Sequence, residues 1–266
     1  MAWDGELLEN ARRFTEALQK TQNYTADRMQ SYQRGLLERL IRHARAEVPF
    51  YGTRLDPLFD SDDNILWEAW NDIPTFTRSD AQSAGEALFA KTTPPKTGGF
   101  GEDTTSGSTG MPLRTRSSGL MNLMSASTNQ RLFNWHNINP DETLAFILDE
   151  KKKFPYPDGR DGDSWNLVNP HALAYNLSAG YTIEQQVDWL SRKQPDMLYT
   201  NPKNAQSIVE LFLSQNQSIP FHTIMVLGEV LEVETIELIT KAGIRLINHF
   251  GTTETGPISG QCSHGP

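Results

Sequence analysis

The chain has 266 residues, of which 37% are hydrophobic and one is a cysteine, and its formal net charge is −9. This length fits one large domain or two small ones, and the single cysteine excludes an internal disulfide framework. Because nucleic-acid binding depends mainly on Lys and Arg, the acidic balance predicts no nucleic-acid partner.

The chain starts without the pattern of a targeting signal. Residues 1–6 are polar and acidic, whereas a secretory signal needs a basic start and an apolar core. No apolar run of about 18 residues occurs further along, so we predict no membrane partner and expect a soluble, cytoplasmic protein.

Residues 1–90 are predicted to form a helical N-terminal segment. Apolar residues recur at a helical period over 29–48, and Pro49 ends that helix. Two more helices are indicated, one around a pair of tryptophans and one after a helix-capping threonine, at Trp67, Trp70 and Thr77.

Residues 91–266 are predicted to form an α/β region. Two stretches in it, 92–119 and 150–180, are rich in glycine, proline and polar residues and are interpreted as irregular loops. Elsewhere, short apolar strands alternate with helices, and the strands are predicted at 143–148, 196–200, 223–227 and 244–248. This alternation is typical of a parallel sheet with flanking helices.

Ligands of open α/β sheets bind beyond the carboxyl ends of the strands. The segments that follow the predicted strands are Thr200-Asn201, Gly228-Glu229 and Phe250-Gly251-Thr252-Thr253-Glu254. We therefore expect these three segments to converge on one crevice.

A polar loop, Thr105-Ser106-Gly107-Ser108-Thr109-Gly110, has the composition of an anion-binding loop. Its glycines let a phosphate approach closely, and successive backbone N–H groups can form an anion-binding concavity, with ATP as the expected guest. It is not a Walker A loop, a Rossmann fingerprint or a nucleophile elbow, because the required spacings are absent. A flexible linker of the same composition is an equal alternative.

Two segments after predicted strands carry candidate chemistry. Residues 250–254 offer a tight turn, two hydroxyl groups and a carboxylate of the kind that Mg²⁺ accepts. Gly228-Glu229 offers backbone against which a flat adenine ring can pack. Taken alone, each segment also fits an ordinary turn, with an exposed acid in the first and an acid at a helix N-terminus in the second.

Together these segments resemble the adenylate-forming superfamily, which comprises the AMP-binding acyl- and aryl-CoA ligases. Residues 105–112 are similar to its signature loop, and residues 250–254 to its aromatic-Gly-x-Thr-Glu motif, at a similar spacing. Residues 40–51, which end in Val-Pro-Phe-Tyr, and residues 73–80 resemble the first segments of phenylacetate–CoA ligases. The resemblance runs from about residue 28 to the last residue.

The resemblance implies a role for each motif residue. Residues 105–110 would hold the β- and γ-phosphates of ATP, and Gly228-Glu229 would line the adenine pocket. His249, Phe250, Gly251, Thr252 and Thr253 would contact the adenylate and the substrate carboxylate, and Glu254 would bind Mg²⁺. The implied reaction is adenylation of a carboxylic acid, with an aryl acid favoured, to acyl-AMP and pyrophosphate, followed by transfer to coenzyme A. The implied catalytic residues are His249, Thr253 and Glu254.

This chain departs from the family pattern in two ways. The signature loop often ends in Pro-Lys, whereas Leu113 follows Pro112 here. Arg114 or Arg116 is a candidate replacement cation, and a surface role for both is equally open. The ribose-binding acid and the mobile C-terminal lid domain have no counterpart in the sequence. We therefore expect an incomplete N-terminal domain that binds ATP and catalyses poorly alone.

Several alternatives remain open at this stage. The acceptor of the acyl group is coenzyme A or, in an enzyme of natural-product biosynthesis, another molecule. A third alternative is a truncated nucleotide-binding module without turnover. A homodimer also remains open as the oligomeric state. Cys262 and His264 are too few ligands for a metal site by themselves. Four aromatic residues are candidates for an aryl pocket or for ordinary core: Trp135, Tyr175, Tyr181 and Tyr199.

Overall fold

A computed structural model describes residues 5–92, 94, 96–104, 113–148, 154–162 and 164–263. They fall into two compact units. One is Ala17–Asn122, and the other joins the N-terminal residues up to Glu16 with the chain from Leu123 onward. The boundary near residue 90 between a helical segment and an α/β region stays a prediction. Within the described ranges, no helix is long and apolar enough to cross a membrane.

Three α-helices occupy the first part of the chain: α1 Gly5–Thr21, α2 Ala26–Glu47 and α3 Arg78–Ala84. The side chain of Thr25 caps α2, and the helix ends before Pro49 as predicted. Thr77 and Asp80 form a reciprocal capping box at the start of α3. The residues around the two tryptophans form a short 3₁₀ helix, Trp67–Asp72, in place of a longer α-helix. A small core around Ile41, Leu55 and Leu58 holds α2 against the 3₁₀ segments.

The predicted loop over 92–119 is partly wrong. It contains two antiparallel strands, β1 Phe100–Thr104 and β2 Arg114–Ser118, and the first residue of helix α4, Gly119–Trp135. All five residues of β1 are exposed, so the hairpin has no apolar face that alternating hydrophobic residues would reveal.

The second unit is built on a seven-stranded sheet with the order β4-β5-β3-β6-β7-β8-β9. The five central strands are parallel and the two outer ones are antiparallel, which confirms the predicted α/β class. The predicted irregular region over 150–180 is wrong in part, because it contains two of these strands, β4 and β5. The strands are β3 Leu144–Leu148, β4 Arg160–Gly162, β5 Ala174–Ser178, β6 Met197–Thr200, β7 Thr223–Val226, β8 Arg245–Thr252 and β9 Gly256–Gly260.

Helices cover both faces of this sheet. Helix α4 packs through Leu132 and Phe133 against Met197, Met225 and Ile247 on one face. The other face is covered by α5 Ile183–Lys193, α6 Pro202–Ser214 and α7 Val233–Lys241. Asn201 caps α6 and Pro202 occupies its first turn, as the sequence predicts.

Candidate functional site

Three of the predicted site segments follow adjacent strands at the same edge of the sheet. Thr200, Val226 and Asn248 are register partners on β6, β7 and β8. The backbone N–H of Leu227 donates to the carbonyl of Thr200 at 3.3 Å, which extends this pairing by one residue. The three strands therefore end at the same edge of the sheet, as expected. The roles of the side chains there stay predictions.

The glycine–acid pair after β7 lies beside the start of a helix. Gly228 has φ +84°, a backbone conformation that favours glycine, and no heavy atom lies within 4 Å of where its Cβ would be. The carboxylate of Glu229 accepts from the N–H of Lys203, in the first turn of α6, at 3.4 Å. This long contact fits the plainer interpretation, an acid at a positive helix N-terminus. Glu229 is exposed, and so is Gly228, whose backbone is therefore open to a flat ligand.

The aromatic-Gly-x-Thr-Glu segment is part of a hairpin, which differs from the expected turn after a strand ending at residue 248. Strand β8 continues to Thr252 and pairs with β9, with an irregularity between Phe250 and Gly251. A Cβ on Gly251 would lie 2.8 Å from the carbonyl oxygen of Gly256. Glycine at this position therefore lets the two strands approach each other closely.

The tip of this hairpin presents two of the three residues with implied catalytic roles. Thr253 and Glu254 are exposed in the turn between β8 and β9. The turn is fixed by Thr252, whose hydroxyl bonds that of Thr255 at 2.9 Å and accepts from its N–H at 3.2 Å. An exposed carboxylate on a held turn fits Mg²⁺, which keeps several waters and takes one or two carboxylates together with substrate phosphates. Among the described residues, no three His, Cys, Asp or Glu side chains gather as a metal site.

A large cavity lies along β8 on its α7 side. Its volume is about 800 Å³, and Phe250, Asn248, Ile236 and Leu231 contribute to its lining. The Phe250 side chain is 57% exposed, so its ring is available to stack on a planar ligand. A volume of this size is within the range of small-molecule sites. The geometry thus fits a planar ligand beside Phe250.

The structure adds a partner for His249 that sequence reasoning missed. The Tyr199 hydroxyl and His249 Nε2 are 2.5 Å apart, although their strands are separated by β7. The Tyr199 ring also contacts Phe146 edge to face, with centroids 5.3 Å apart. Burial raises the pKa of the Tyr199 hydroxyl above its ordinary value and lowers the pKa of His249. Both groups are therefore neutral near pH 7.

The predicted phosphate-binding loop, residues 105–110, lies outside the described residues, and only the hairpin beside it is described. In that hairpin Thr104 pairs with Arg114. Arg114 and Arg116 both bind Glu86 and Glu102, with N–O distances from 2.6 to 3.3 Å. The guanidinium groups that were candidate replacement cations are thus engaged in surface ion pairs.

The remaining sequence candidates are not brought together. Cys262 is an exposed free thiol, and His264 lies outside the described residues. The four aromatic residues do not form one pocket, because Trp135 and Tyr199 pack on the α4 face of the sheet whereas Tyr175 and Tyr181 pack on the opposite face. Their positions fit core packing on both sides.

Comparison with known proteins supports the fold. No protein-family model matches the chain. An adenylate-forming reductase from Aspergillus terreus (strain NIH 2624 / FGSC A1156) is 26% identical over 134 residues, which are 46% of this chain and 12% of the relative.

Two solved structures of 2-hydroxyisobutyryl-CoA ligase share the architecture. An open conformation in complex with 2-HIB-AMP and CoA matches 87% of this chain with a TM-score of 0.67 and 16% identity. A postadenylation state in complex with R3-HIB-AMP matches the same share with a TM-score of 0.66 and 16% identity. The chain covers 55% and 50% of these proteins, or about half of their length. At this identity the likeness shows a common fold, and it matches the α/β architecture predicted from the sequence.

Proposed function

We propose that this chain binds ATP with Mg²⁺ and takes part in the adenylation of a carboxylic acid. The observation that carries the proposal is that Gly228-Glu229 follows β7 and that residues 249–254 form the end of the neighbouring parallel strand β8 and the turn after it, at one edge of the sheet. The solved 2-hydroxyisobutyryl-CoA ligase structures of the same fold contain 2-HIB-AMP or R3-HIB-AMP. The resemblance of residues 105–112 and 250–254 to adenylate-forming motifs supports the same conclusion.

In the proposed reaction, a carboxylate oxygen of the acid attacks the α-phosphorus of ATP. A new oxygen–phosphorus bond forms, the bond from the α-phosphorus to the bridging oxygen breaks, and pyrophosphate leaves. Residues 105–110 would hold the β- and γ-phosphates, and Glu254 would hold Mg²⁺, an ion that would supply positive charge next to the leaving pyrophosphate. Gly228, Glu229 and Phe250 flank the base.

The chain's other motif residues position the reacting oxygens. The hydroxyl of Thr253 lies at the hairpin tip beside Glu254, and Thr252 holds the turn through Thr255. His249 contacts the acid or its adenylate. These groups contribute by orientation and by hydrogen bonds to charged oxygens, which are the main sources of rate in reactions of this type.

The acid is proposed to be an aryl acid and the final acceptor coenzyme A, following the resemblance to phenylacetate–CoA ligases. A second candidate differs in the acceptor, because the Aspergillus terreus relative is named an adenylate-forming reductase. In that case the acyl-AMP is passed on without a CoA thioester. A nucleotide-binding module without turnover is the third alternative.

Two measurements test the proposal. Calorimetric titration with Mg²⁺–ATP is expected to give saturable binding, and pyrophosphate exchange across aryl and fatty acids is expected to show incorporation with at least one acid. Glu254→Gln is expected to raise the Mg²⁺ concentration needed for half-maximal exchange. Glu237→Gln, an equal charge change at an exposed position on α7, is the matched control.

The outcomes separate the alternatives. Binding without exchange, in this chain and in any longer form of the protein, would leave the nucleotide-binding module. The absence of both ATP binding and pyrophosphate exchange would refute the proposal. If exchange occurs, formation of an acyl-CoA would identify coenzyme A as the acceptor. Exchange without any reaction with coenzyme A would favour another acceptor.

A further inference from the structure

We propose that Tyr199 is a positioning residue that holds His249 in one neutral tautomer, with its proton on Nδ1, as a hydrogen-bond donor to an oxygen of the bound acid. The identity of that ligand rests on the proposed function, whereas the state of the imidazole rests on the structure alone. The proposal assigns Tyr199 a task that no sequence motif indicates.

The direction of the Tyr199–His249 hydrogen bond sets the tautomer. A phenol can donate or accept, and a neutral imidazole has one donating and one accepting nitrogen. This contact is the hydrogen bond that the Tyr199 hydroxyl makes among the described residues. If Nε2–H donated to the phenol oxygen, the proton of this half-buried hydroxyl would have no acceptor among the described residues, which is unfavourable. Tyr199 therefore donates to Nε2, and the imidazole proton lies on Nδ1.

The surroundings of His249 keep the ring neutral. A small cavity beside it is lined from α4 by Arg131 and Trp135 and from β9 by Pro257 to Gly260. The larger cavity on the other side is lined by Arg245, and neither lining contains an Asp or Glu among the described residues. The Arg131 guanidinium lies over the Trp135 ring at 4.9 Å. Burial lowers the pKa of His249 and so disfavours an imidazolium, and no carboxylate among the described lining residues opposes this effect.

The Nδ1–H of a neutral His249 can donate a hydrogen bond to a ligand at the carboxyl edge of the sheet. His249 directly precedes Phe250 at the carboxyl edge of the sheet, and its Nε2 is occupied by Tyr199. The Nδ1–H is the group that remains to bind an acceptor such as a carboxylate or acyl-phosphate oxygen. Because burial favours the neutral ring, this hydrogen bond is expected to be present near pH 7.

Nitrogen-15 NMR of the histidine side chains tests the tautomer directly. The chain has six histidines, and a His249→Asn variant identifies the signals of His249. We expect a protonated Nδ1 and a bare Nε2 at pH 7 to 8. Tyr199→Phe is expected to give a mixture of tautomers and a pKa closer to the ordinary histidine value. The control is Tyr175→Phe, which removes a hydroxyl from a tyrosine on the opposite face of the sheet.

The second measurement is kinetic. In pyrophosphate exchange, Tyr199→Phe is expected to raise KM for the acid on the order of 3- to 10-fold, with a smaller change in kcat, as for one weakened hydrogen bond. A protonated Nε2 or an imidazolium in the unaltered protein at pH 7 would overturn the proposal even if the variant failed to fold. The expected tautomer in a protein with no exchange activity would refute the proposed function and leave the assignment of Tyr199 standing.

Discussion

Replacing Gly251 with alanine is expected to destabilise the unit that contains the sheet and to disturb the candidate site. The added Cβ would lie 2.8 Å from the carbonyl oxygen of Gly256, and 3.2 Å from both the carbonyl carbon of Gly256 and Cα of Pro257. All three are backbone atoms of β9, so no flexible side chain can move aside. The strands must separate locally for the methyl group to fit.

The size of the effect follows from this geometry. Forcing an extra methyl group into a closely packed position costs about 1–3 kcal/mol, and contacts with backbone atoms favour the upper half of that range. For a unit of this size, each 1 kcal/mol corresponds to a shift of roughly 2–4 °C in the midpoint of thermal unfolding. We therefore expect Gly251→Ala to lower Tm by several degrees.

Thermal unfolding followed by circular dichroism, together with the urea midpoint, measures this loss. Gly99→Ala is the control, because no heavy atom lies within 4 Å of the Cβ position at Gly99, and its Tm is expected to stay close to that of the unaltered chain. A Gly251→Ala protein with unchanged Tm and unchanged ATP binding would refute the reasoning. It would mean that β8 and β9 are further apart at this point than the structure indicates.

Three further changes test other parts of the fold. Gly35→Ala within α2, where nothing lies within 4 Å of the added methyl group, should stabilise the protein by about 0.5–1 kcal/mol in urea unfolding. Thr200→Val removes the hydroxyl that donates to the carbonyl of Ile147 at 2.7 Å and accepts from Asn204, and should cost about 1–3 kcal/mol by the same assay. Hydrogen bonds from Thr77 hold the pKa of Asp80 below its ordinary value, so the capping box should stabilise α3 above about pH 4 and weaken as the pH falls through the lowered pKa. Asp80→Asn, which removes the carboxyl that accepts from the backbone N–H of Thr77, should abolish this part of the acid dependence, and equal acid sensitivity of the two proteins would contradict it.

The elements that the sequence predicts correctly carry local signals. Helix α6 has a capping Asn201 and Pro202 in its first turn, and the central strands are short apolar runs between helices. The missed elements lack such signals. Strand β1 is exposed along its whole length, and the buried residues of α4 include Ser127 and Gln130, which weaken its apolar period.

The candidate site shows the same difference between features that have a local sequence signal and features that do not. The motif residues at the ends of β7 and β8 could be singled out because they are contiguous in sequence, and their roles stay predictions. The Tyr199–His249 pair joins residues 50 positions apart on strands that are not neighbours, so it depends on a strand order that sequence periodicity does not provide. The ion pairs of Arg114 and Arg116 likewise depend on which strand pairs with which.

The two outer strands of the sheet bear on how copies of this chain can associate. Strand β4 has three residues and carries the charged Arg160 and Asp161, and strand β9 contains Pro257, which has no N–H to donate. Short, charged or proline-containing edges oppose the addition of a further strand. We therefore expect any homodimer of this chain to form through helices or loops, and the sheets of two copies to remain separate.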